Sequence, residues 1–277
     1  MSTEAVIPAG LTYCYYGNVN SSGYMVGTSD PTAGSQTGSG MGRIQYAKTV
    51  PIGVNEPDFV QATGDDTVAA QWPFDSNELP NGILESAVTD LAQEAVMQNT
   101  NTFAVGDGLM GVRQPKDVNR ADTCLILQSR AKSADSGTAG TSRWHGVIVP
   151  VATLTPLGGD PSERTPLTNR IAIAAQNATQ LPWGATLQTA IQGTESAPII
   201  PFNFDNPVTC HVFKGDDAET AFTVGLTPVS DAKCAIYLDG LVQSSAVWSR
   251  SRSTFTMTAA PGDGSYLHIW YEFDTSA

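Results

Sequence analysis

Three histidines and four cysteines are the residues of this chain best suited to bind a metal or to act as a nucleophile and its base. His145, His211 and His268 fall in three different predicted strands, and no H-x-H, H-E-x-x-H or H-x-x-E-H spacing brings two of them together. The cysteines are widely separated and form no C-x-x-C pair, which excludes a zinc ribbon and a thioredoxin motif. They are Cys14, Cys124, Cys210 and Cys234. Four reduced, mostly buried thiols are expected, with two disulfides as the alternative.

The other motifs that could support catalysis or nucleotide binding are incomplete. Cys210 and His211 are adjacent in one predicted strand, so their side chains point to opposite faces and do not form a pair. Residues 38–42 read GSGMG, which lacks the spacing of a dinucleotide loop. Asp65 and Asp66 could hold a cation, but paired acids in a loop are expected to be solvated. The sequence therefore predicts no enzyme, no metal and no cofactor.

Composition bounds the class of protein. The chain has 277 residues, of which 41% are hydrophobic and 15% charged, and its net charge is −13. The hydrophobic fraction is sufficient for a folded core. The acidic balance excludes a protein that binds nucleic acid by neutralising phosphates. No basic or apolar leader opens the chain and no stretch has the length of a membrane span, so neither secretion nor membrane insertion is expected.

Charge is distributed unevenly along the chain. Residues 49–112 contain ten acids and no lysine or arginine, whereas residues 113–170 contain eight bases and five acids. The ten acids are Glu56, Asp58, Asp65, Asp66, Asp75, Glu78, Glu85, Asp90, Glu94 and Asp107. Besides ordinary solvated surface, two interpretations stay open: opposite patches meet between copies of the protein, or the acidic segment lines a surface kept free of DNA.

The elements that must position these residues are mostly β-strands. Short runs rich in Val, Ile, Thr, Tyr and Phe alternate with turn-forming clusters. The predicted strands of the first two thirds are residues 11–16, 23–26, 43–50, 125–130, 144–149 and 170–176. One amphipathic helix is predicted from Ile83 to Val96, because apolar residues recur there at helical spacing after a possible N-cap at Asn81.

The pattern changes near residue 195. Residues 194–198 resemble a linker, and a compact series of short strands follows. These strands are predicted at residues 208–213, 221–224, 234–238, 254–258 and 266–271. Asp239-Gly240 supplies the residues of a tight hairpin. The sequence therefore predicts one domain over residues 1–195 and a small β-sandwich over residues 196–277.

A polar tract rich in glycine, serine and threonine occupies residues 17–42 and is interrupted only by Tyr24, Met25 and Val26. A loop of this length and composition is either a flexible excursion or a segment that a partner orders. We predict an assembly loop, because the tract is too polar to form a core of its own. The residues assigned to contacts between subunits or rings are Thr28, Thr32, Ser35, Thr37 and Ser39.

The first 195 residues resemble phage major tail proteins, which form tail tubes. The motifs that carry the resemblance are GYMVGT at 23–28, GMGRIQYAKT at 40–49, NEPD at 55–58, VQATGDD at 60–66, WPFD at 72–75 and PLTNRIAIAAQ at 166–176. The resemblance implies a mainly β fold, a tail-tube β-sandwich or barrel with one flanking α-helix. In long-tailed siphophages such proteins stack as hexameric rings.

The last part of the chain resembles a small immunoglobulin-like β-sandwich module found in phage tail and fibre proteins. The matching segments are AIYLDGLV at 235–242, FTMTAAPGDG at 255–264 and LHIWY at 267–271. The chain departs from that module at Trp248-Ser249, where an Asp-Tyr pair usually begins the middle strand. The module is therefore expected to decorate the outside of the tube.

The resemblance implies a structural virion protein of the tail, made in the bacterial cytoplasm, that conducts viral DNA during ejection into the host. Its expected partners are further copies of itself in hexameric rings, together with the tape measure, tail terminator and distal tail proteins. DNA is expected to pass through without specific binding, along a lumen that Asp65 and Asp66 help to line. No membrane partner is expected.

An alternative keeps the same fold class but a different function. A tail-tip or fibre protein, or a capsid decoration protein, could use the C-terminal module to bind the host surface. Four aromatic residues of that module could stack on sugars, although their alternation along strands is more typical of a core. They are Tyr237, Trp248, Trp270 and Tyr271.

Overall fold

A computed structural model describes residues 6–44, 47–48, 59–64, 67–73, 81–86, 102–106, 109–112, 122–133, 142–158, 169–184, 197 and 199–274. In chain order its strands are β1 Val6–Val19, β2 Met25–Gly27, β3 Ser39–Gly40, β4 Gly42–Arg43, β5 Ala47–Lys48, β6 Phe59–Gly64, β7 Thr67–Pro73, β8 Asn81–Ser86, β9 Thr102–Gly106, β10 Leu109–Val112, β11 Asp122–Ser133, β12 Ser142–Gly158 and β13 Asn169–Ala175. The later strands are β14 Ile200–Phe204, β15 Val208–Lys214, β16 Ala221–Thr223, β17 Cys234–Leu238, β18 Leu241–Val242, β19 Trp248–Ser251, β20 Thr254–Met257 and β21 Tyr266–Glu272.

The mainly β class is confirmed. Strand is the predominant structure of the described residues, which form several antiparallel sheets, and no α-helix occurs among them. Every strand predicted from the sequence overlaps an observed one, and the predicted window 234–238 coincides with β17. A single 3-10 turn, Asp231–Lys233, precedes that strand.

The helix predicted from Ile83 to Val96 is wrong at its start. Residues 81–86 form β8, which pairs antiparallel with β13 so that Leu84 lies opposite Ile171 and Ile83 opposite Ala172. Pairing with a strand almost 90 residues away decides the conformation here, because six residues carry too little periodicity to distinguish a helix from a buried strand. Residues 87–100 lie outside the described part of the chain.

The first sheet has nine strands and curls back on itself. Its main order is β2-β1-β11-β12-β13-β8-β5, with β4 paired to β1 and β14 paired to β12. Strands β4 and β5 are neighbours in the chain, yet β4 pairs with β1 and β5 pairs with β8. The two ends of the sheet therefore meet at residues 42–48, where β1 and β5 also contact each other.

The long strand β12 holds three partners. One edge pairs with β11 from Ser142 to Thr153. The opposite edge pairs first with β14, at residues 144–148, and then with β13, from Ala152 onwards. The segment that begins the C-terminal third of the chain is thus a strand of the first sheet.

The C-terminal third forms a sandwich of two antiparallel sheets. One has the order β18-β17-β21-β15-β3, and the other has the order β16-β20-β19. Their facing side chains pack in one core, in which the rings of Phe213 and Phe222 lie 5.1 Å apart. The Asp239-Gly240 turn predicted from the sequence is confirmed, since both residues have positive φ, 46° and 81°, as a two-residue hairpin of the I′ type requires.

Two buried clusters lie on opposite faces of the first sheet, as expected from the alternation of side chains along a strand. The inner cluster contains Cys14, Tyr16, Ile44, Leu125, Val149, Ala152, Leu154, Ile171, Ile173 and Ala175. The outer cluster includes Tyr15, Cys124, Ile126 and Ile148 and continues without interruption into the core of the C-terminal sandwich. The predicted boundary between residues 195 and 196 stays a prediction, and the contacts across it are extensive.

Candidate assembly surfaces

The glycine-rich tract, residues 17–42, lies against the C-terminal sandwich of its own chain. It opens with a turn in which the Asn20 side-chain oxygen accepts hydrogen bonds from the backbone N–H groups of Ser22 and Tyr24, both at 3.0 Å. Strand β2 follows, and β3 then pairs with the outer edge of β15, with Gly40 opposite His211. The segment ordering this tract is thus a distant part of the same molecule.

Side chains also fasten the middle of the tract to the sandwich. Asp30 forms an ion pair with Lys214 at 3.5 Å and accepts a hydrogen bond from the Tyr266 hydroxyl at 3.0 Å. The Gln36 side-chain amide donates to Glu219 at 2.7 Å. Gly38 is required where the tract approaches β15, because its φ is 52° and a Cβ there would meet the Phe213 ring.

The five residues predicted to mediate assembly fall into two groups. Ser39 is buried, and its hydroxyl accepts a hydrogen bond from the backbone N–H of Ser29, so its contacts lie inside the chain. Thr32 and Thr37 are exposed, while Thr28 and Ser35 are half-buried. The assignment of these residues to contacts between subunits stays a prediction, and only the exposed pair has surface free for a neighbour.

Asp65 and Asp66, predicted to line the lumen, lie outside the described residues. They occupy the two positions between Gly64 and Thr67, which are paired at the end of β6 and β7. Their orientation stays a prediction. Of the ten acids in residues 49–112, only Glu85 belongs to a described strand, β8. In the strand register it lies opposite Lys48 of β5 on one side and opposite Arg170 of β13 on the other.

Three contacts join the N-terminal region, which contains most of the first sheet, to the sandwich. The buried Gln128 side-chain amide bonds the backbone of Val208 in the way a neighbouring strand would. It donates a hydrogen bond to the Val208 carbonyl at 2.6 Å and accepts one from the Val208 N–H at 2.8 Å. The Nε2 atom of buried His268 lies 2.8 Å from the Met25 carbonyl. A Cβ on Gly184 would stand 3.0 Å from Gly240, so two glycine turns touch.

The three histidines serve separate structural roles. His211 accepts a hydrogen bond from Gly225 N–H at its Nε2 atom, 3.2 Å away, and its Nδ1 atom lies 3.2 Å from the Tyr271 hydroxyl. Burial lowers the pKa of His211 and of His268 to about 4, so both are neutral at pH 7. His145 hydrogen-bonds Asn203 at the surface. Within the described residues no group of three or more His, Cys, Asp or Glu could hold a metal ion.

All four cysteines are free thiols, and three of them are buried. Burial raises the pKa of Cys14 to about 12 and that of Cys234 to about 11, and it raises the pKa values of Cys124 and Cys210 further. Because the thiolate is the reactive form, these residues are poor nucleophiles at neutral pH. They act as small apolar core residues.

The aromatic residues considered for sugar binding belong mostly to the sandwich core. Trp248 and Trp270 are 9% exposed and Tyr271 is 1% exposed, while Tyr237 is half-buried. Trp270 packs edge-on against Trp183, with ring centroids 4.5 Å apart. The interpretation of these residues as core is confirmed, and they offer no exposed stacking platform.

One surface cluster was missed by the sequence analysis. The Arg43 guanidinium lies 4.4 Å from the Tyr13 ring centroid, and the Arg130 guanidinium lies 5.8 Å from the Trp144 ring. The two rings are 5.3 Å apart, so the four side chains form a row that we call the arginine–aromatic row. The signal was weak, because four strands, β1, β4, β11 and β12, bring these residues together.

Comparison with known proteins yields no relative: no family model matches the chain, and neither does any curated protein. In the part of the chain that is described, no helix is long and apolar enough to cross a membrane.

Proposed function

We propose that this chain is a structural virion protein, the subunit of a long non-contractile phage tail tube, stacked as hexameric rings around a conduit for DNA. The tail-tube fold with its C-terminal immunoglobulin-like decoration module is part of the proposal. The sequence resemblance supports it, and so does the mainly β architecture with a nine-stranded sheet.

The observation that carries the proposal is a pair of hairpins. Among the described residues, strands β6–β7 and β9–β10 each form a two-stranded sheet with no further strand paired to it. A two-stranded hairpin is at best marginally stable in water, because it buries little apolar surface. Pairing with the strands of neighbouring subunits would supply the missing partners and would build a continuous wall around a ring.

Electron microscopy of the purified full-length protein tests the proposal. We expect long hollow tubes built of stacked rings with sixfold symmetry. Isolated trimers would instead favour a fibre protein, and isolated monomers at every concentration would favour a capsid decoration protein. Either result would overturn the tube assignment.

Exposed residues of the glycine-rich tract provide a sharper test of the assembly loop. Thr32→Arg with Thr37→Arg adds two large side chains to the exposed surface and leaves the buried Ser39 in place. We expect folded chains that no longer form tubes. Thr227→Arg with Ser245→Arg, both at exposed positions of the sandwich, is the matched control. Normal tubes from the first variant would show that the tract does not take part in contacts between subunits.

The lumen assignment is tested by reversing charge. An acidic lining repels DNA over about one Debye length, ~8 Å at physiological ionic strength, and so keeps phosphates from binding. In phage carrying Asp65→Lys with Asp66→Lys, assembly should persist and DNA ejection should slow. Asp217→Lys with Asp263→Lys, on the exposed sandwich surface, is the control. Loss of ring stacking by folded Asp65/Asp66 variants would place the pair at a contact between rings.

A further inference from the structure

We propose that the arginine–aromatic row binds carboxylates of a second copy of this chain. The inference rests on the proposed function, because it assigns one contact between subunits of the tube. The row consists of Arg43, Tyr13, Trp144 and Arg130, on strands β4, β1, β12 and β11.

Strand register places the whole row on one face of the first sheet. Tyr15 pairs with Arg43, and Arg130 pairs with Trp144. Tyr13 pairs with Gln128, two residues before Arg130 on the same strand. Both guanidinium groups are exposed, whereas Trp144 is only 4% exposed and Tyr13 is half-buried. The two rings thus form the less accessible base of the row, and the two guanidinium groups are the part that a partner can reach.

A guanidinium group that stacks on an aromatic ring can still donate hydrogen bonds from its N–H groups. Contact with the ring uses the face of the planar group, and the five N–H bonds lie in its plane, where they match the two oxygens of a carboxylate. Within the described residues, ion pairs to carboxylates are made by Lys214, Lys233 and Arg250. Neither arginine of the row has a carboxylate among its described contacts. Two oriented cations that have no carboxylate partner among the described residues form a site for anions.

Charge complementarity favours another copy of the same chain as the source of the anions. The chain has 27 acids and 14 bases, and ten of the acids lie in residues 49–112, which contain no base. An exposed pair of bases on so acidic a molecule attracts other copies at a defined place and sets their register. Phosphate groups of DNA could make the same bidentate contact, and retention of a DNA duplex is therefore one of the outcomes of the test.

The test compares assembly of wild-type protein with that of Arg43→Gln plus Arg130→Gln. Sedimentation and electron microscopy measure the concentration at which tubes form, at about 50 mM and about 300 mM NaCl. We expect the critical concentration of the double variant to rise at least about tenfold at low salt and to lose most of its salt dependence. Arg43→Lys plus Arg130→Lys should fall between the two, because lysine keeps the charge but not the planar donor pair. Arg252→Gln, at an exposed turn of the sandwich, should assemble like wild type.

The outcomes separate this inference from the function on which it rests. If wild-type protein forms no assemblies, the proposed function fails and the inference fails with it. If wild type assembles and the double glutamine variant has the same critical concentration and circular dichroism, only the inference is overturned. The partner is also wrong if wild-type protein retains a short DNA duplex that the double variant releases while both assemble equally.

Discussion

The two faces of the first sheet are built for different purposes. The inner face is filled mainly by aliphatic residues such as Leu154 and Ile173, and the described members of its cluster all lie in the first sheet or directly beside it. The outer face carries Tyr15, Ile126 and Ile148, and its cluster continues into the C-terminal sandwich. One face is thus closed by the curl of the sheet, and the other is closed by a separate set of strands.

This difference shows why residues 124–127 of β11 and 147–149 of β12 read as uninterrupted apolar runs. A strand covered on both faces cannot alternate between apolar and polar residues as a half-exposed strand does. It also shows that residues 199–274 complete the core of the first sheet. The sheet should therefore depend on the sandwich more than a two-domain division of the chain suggests.

Removing the cover should have the largest effect. A chain that stops after residue 198 exposes Tyr15, Cys124, Ile126 and Ile148, and large apolar side chains contribute about 1.5–3 kcal/mol each when buried. The summed loss approaches the whole stability of an ordinary domain. We expect no cooperative thermal transition and strong binding of a hydrophobic dye. A chain that stops after Asp274 is the control, and a sharp transition in the shorter chain would support two independent domains.

Adjacent substitutions in β11 should separate the two faces. Leu125 and Ile126 are both fully buried but belong to the inner and outer clusters. Leu125→Ala and Ile126→Ala should each lower the free energy of unfolding by about 2–5 kcal/mol. Hydrogen exchange should accelerate in β21 only for Ile126→Ala, because only that residue packs against the sandwich. Equal acceleration in both variants would contradict the separation of the clusters.

Acid should loosen the sandwich side first. His268 is neutral in the folded state with a pKa of about 4, whereas a histidine in the unfolded chain has a pKa of about 6.5. The unfolded state therefore binds more protons between these values, so stability is complete above pH 6.5 and falls as the pH drops toward 4. We expect a loss of about 2 kcal/mol from His268 between pH 7 and pH 5, measured by urea unfolding.

Two variants identify the group responsible for this pH dependence. His268→Gln keeps a donor for the Met25 carbonyl and removes the titration, so its stability should fall less between pH 7 and pH 5. His145→Gln, at the surface bond to Asn203, is the matched histidine-to-glutamine control. If His268→Gln and wild type lose the same stability, His268 is not the group that titrates.

The smallest expected effect concerns the amide that joins the two regions. Gln128→Met keeps the approximate volume but removes both hydrogen bonds to the Val208 backbone, leaving the N–H and carbonyl of this half-buried residue without that partner. We expect a loss of about 1–2 kcal/mol in the free energy of unfolding. Gln36→Met removes an exposed bond to Glu219 and should change stability by less than about 0.5 kcal/mol. A neutral Gln128→Met would mean that the amide does not hold the sandwich.

The strands of the sandwich were predictable because their signals are local. Asp239-Gly240 specifies its turn by residue type alone, and β17 is a short apolar run that this turn ends. The β8 segment was not predictable, because its helical spacing is weaker than its pairing with β13. Element type followed from the sequence wherever turn chemistry and periodicity agreed.

The candidate surfaces depended on contacts that no local pattern contains. The glycine-rich tract was recognised as polar and unable to form a core, but its sequence does not identify β15 as the strand with which it pairs. The arginine–aromatic row was missed for the same reason. Arg130 was counted with the basic block and Arg43 was not, and only strand register places both beside the rings of Tyr13 and Trp144.

The pairing of β3 with β15 has a consequence for synthesis of the protein. Gly40 leaves the ribosome about 170 residues before its partner His211. At ordinary elongation rates of about 5–20 residues per second, the tract waits for roughly 10 to 30 s with an unpaired backbone. An apolar strand exposed for that time would invite aggregation. Residues 28–40 contain no Val, Leu, Ile, Met or aromatic residue, so the nascent segment can wait in water until the edge it completes has been made.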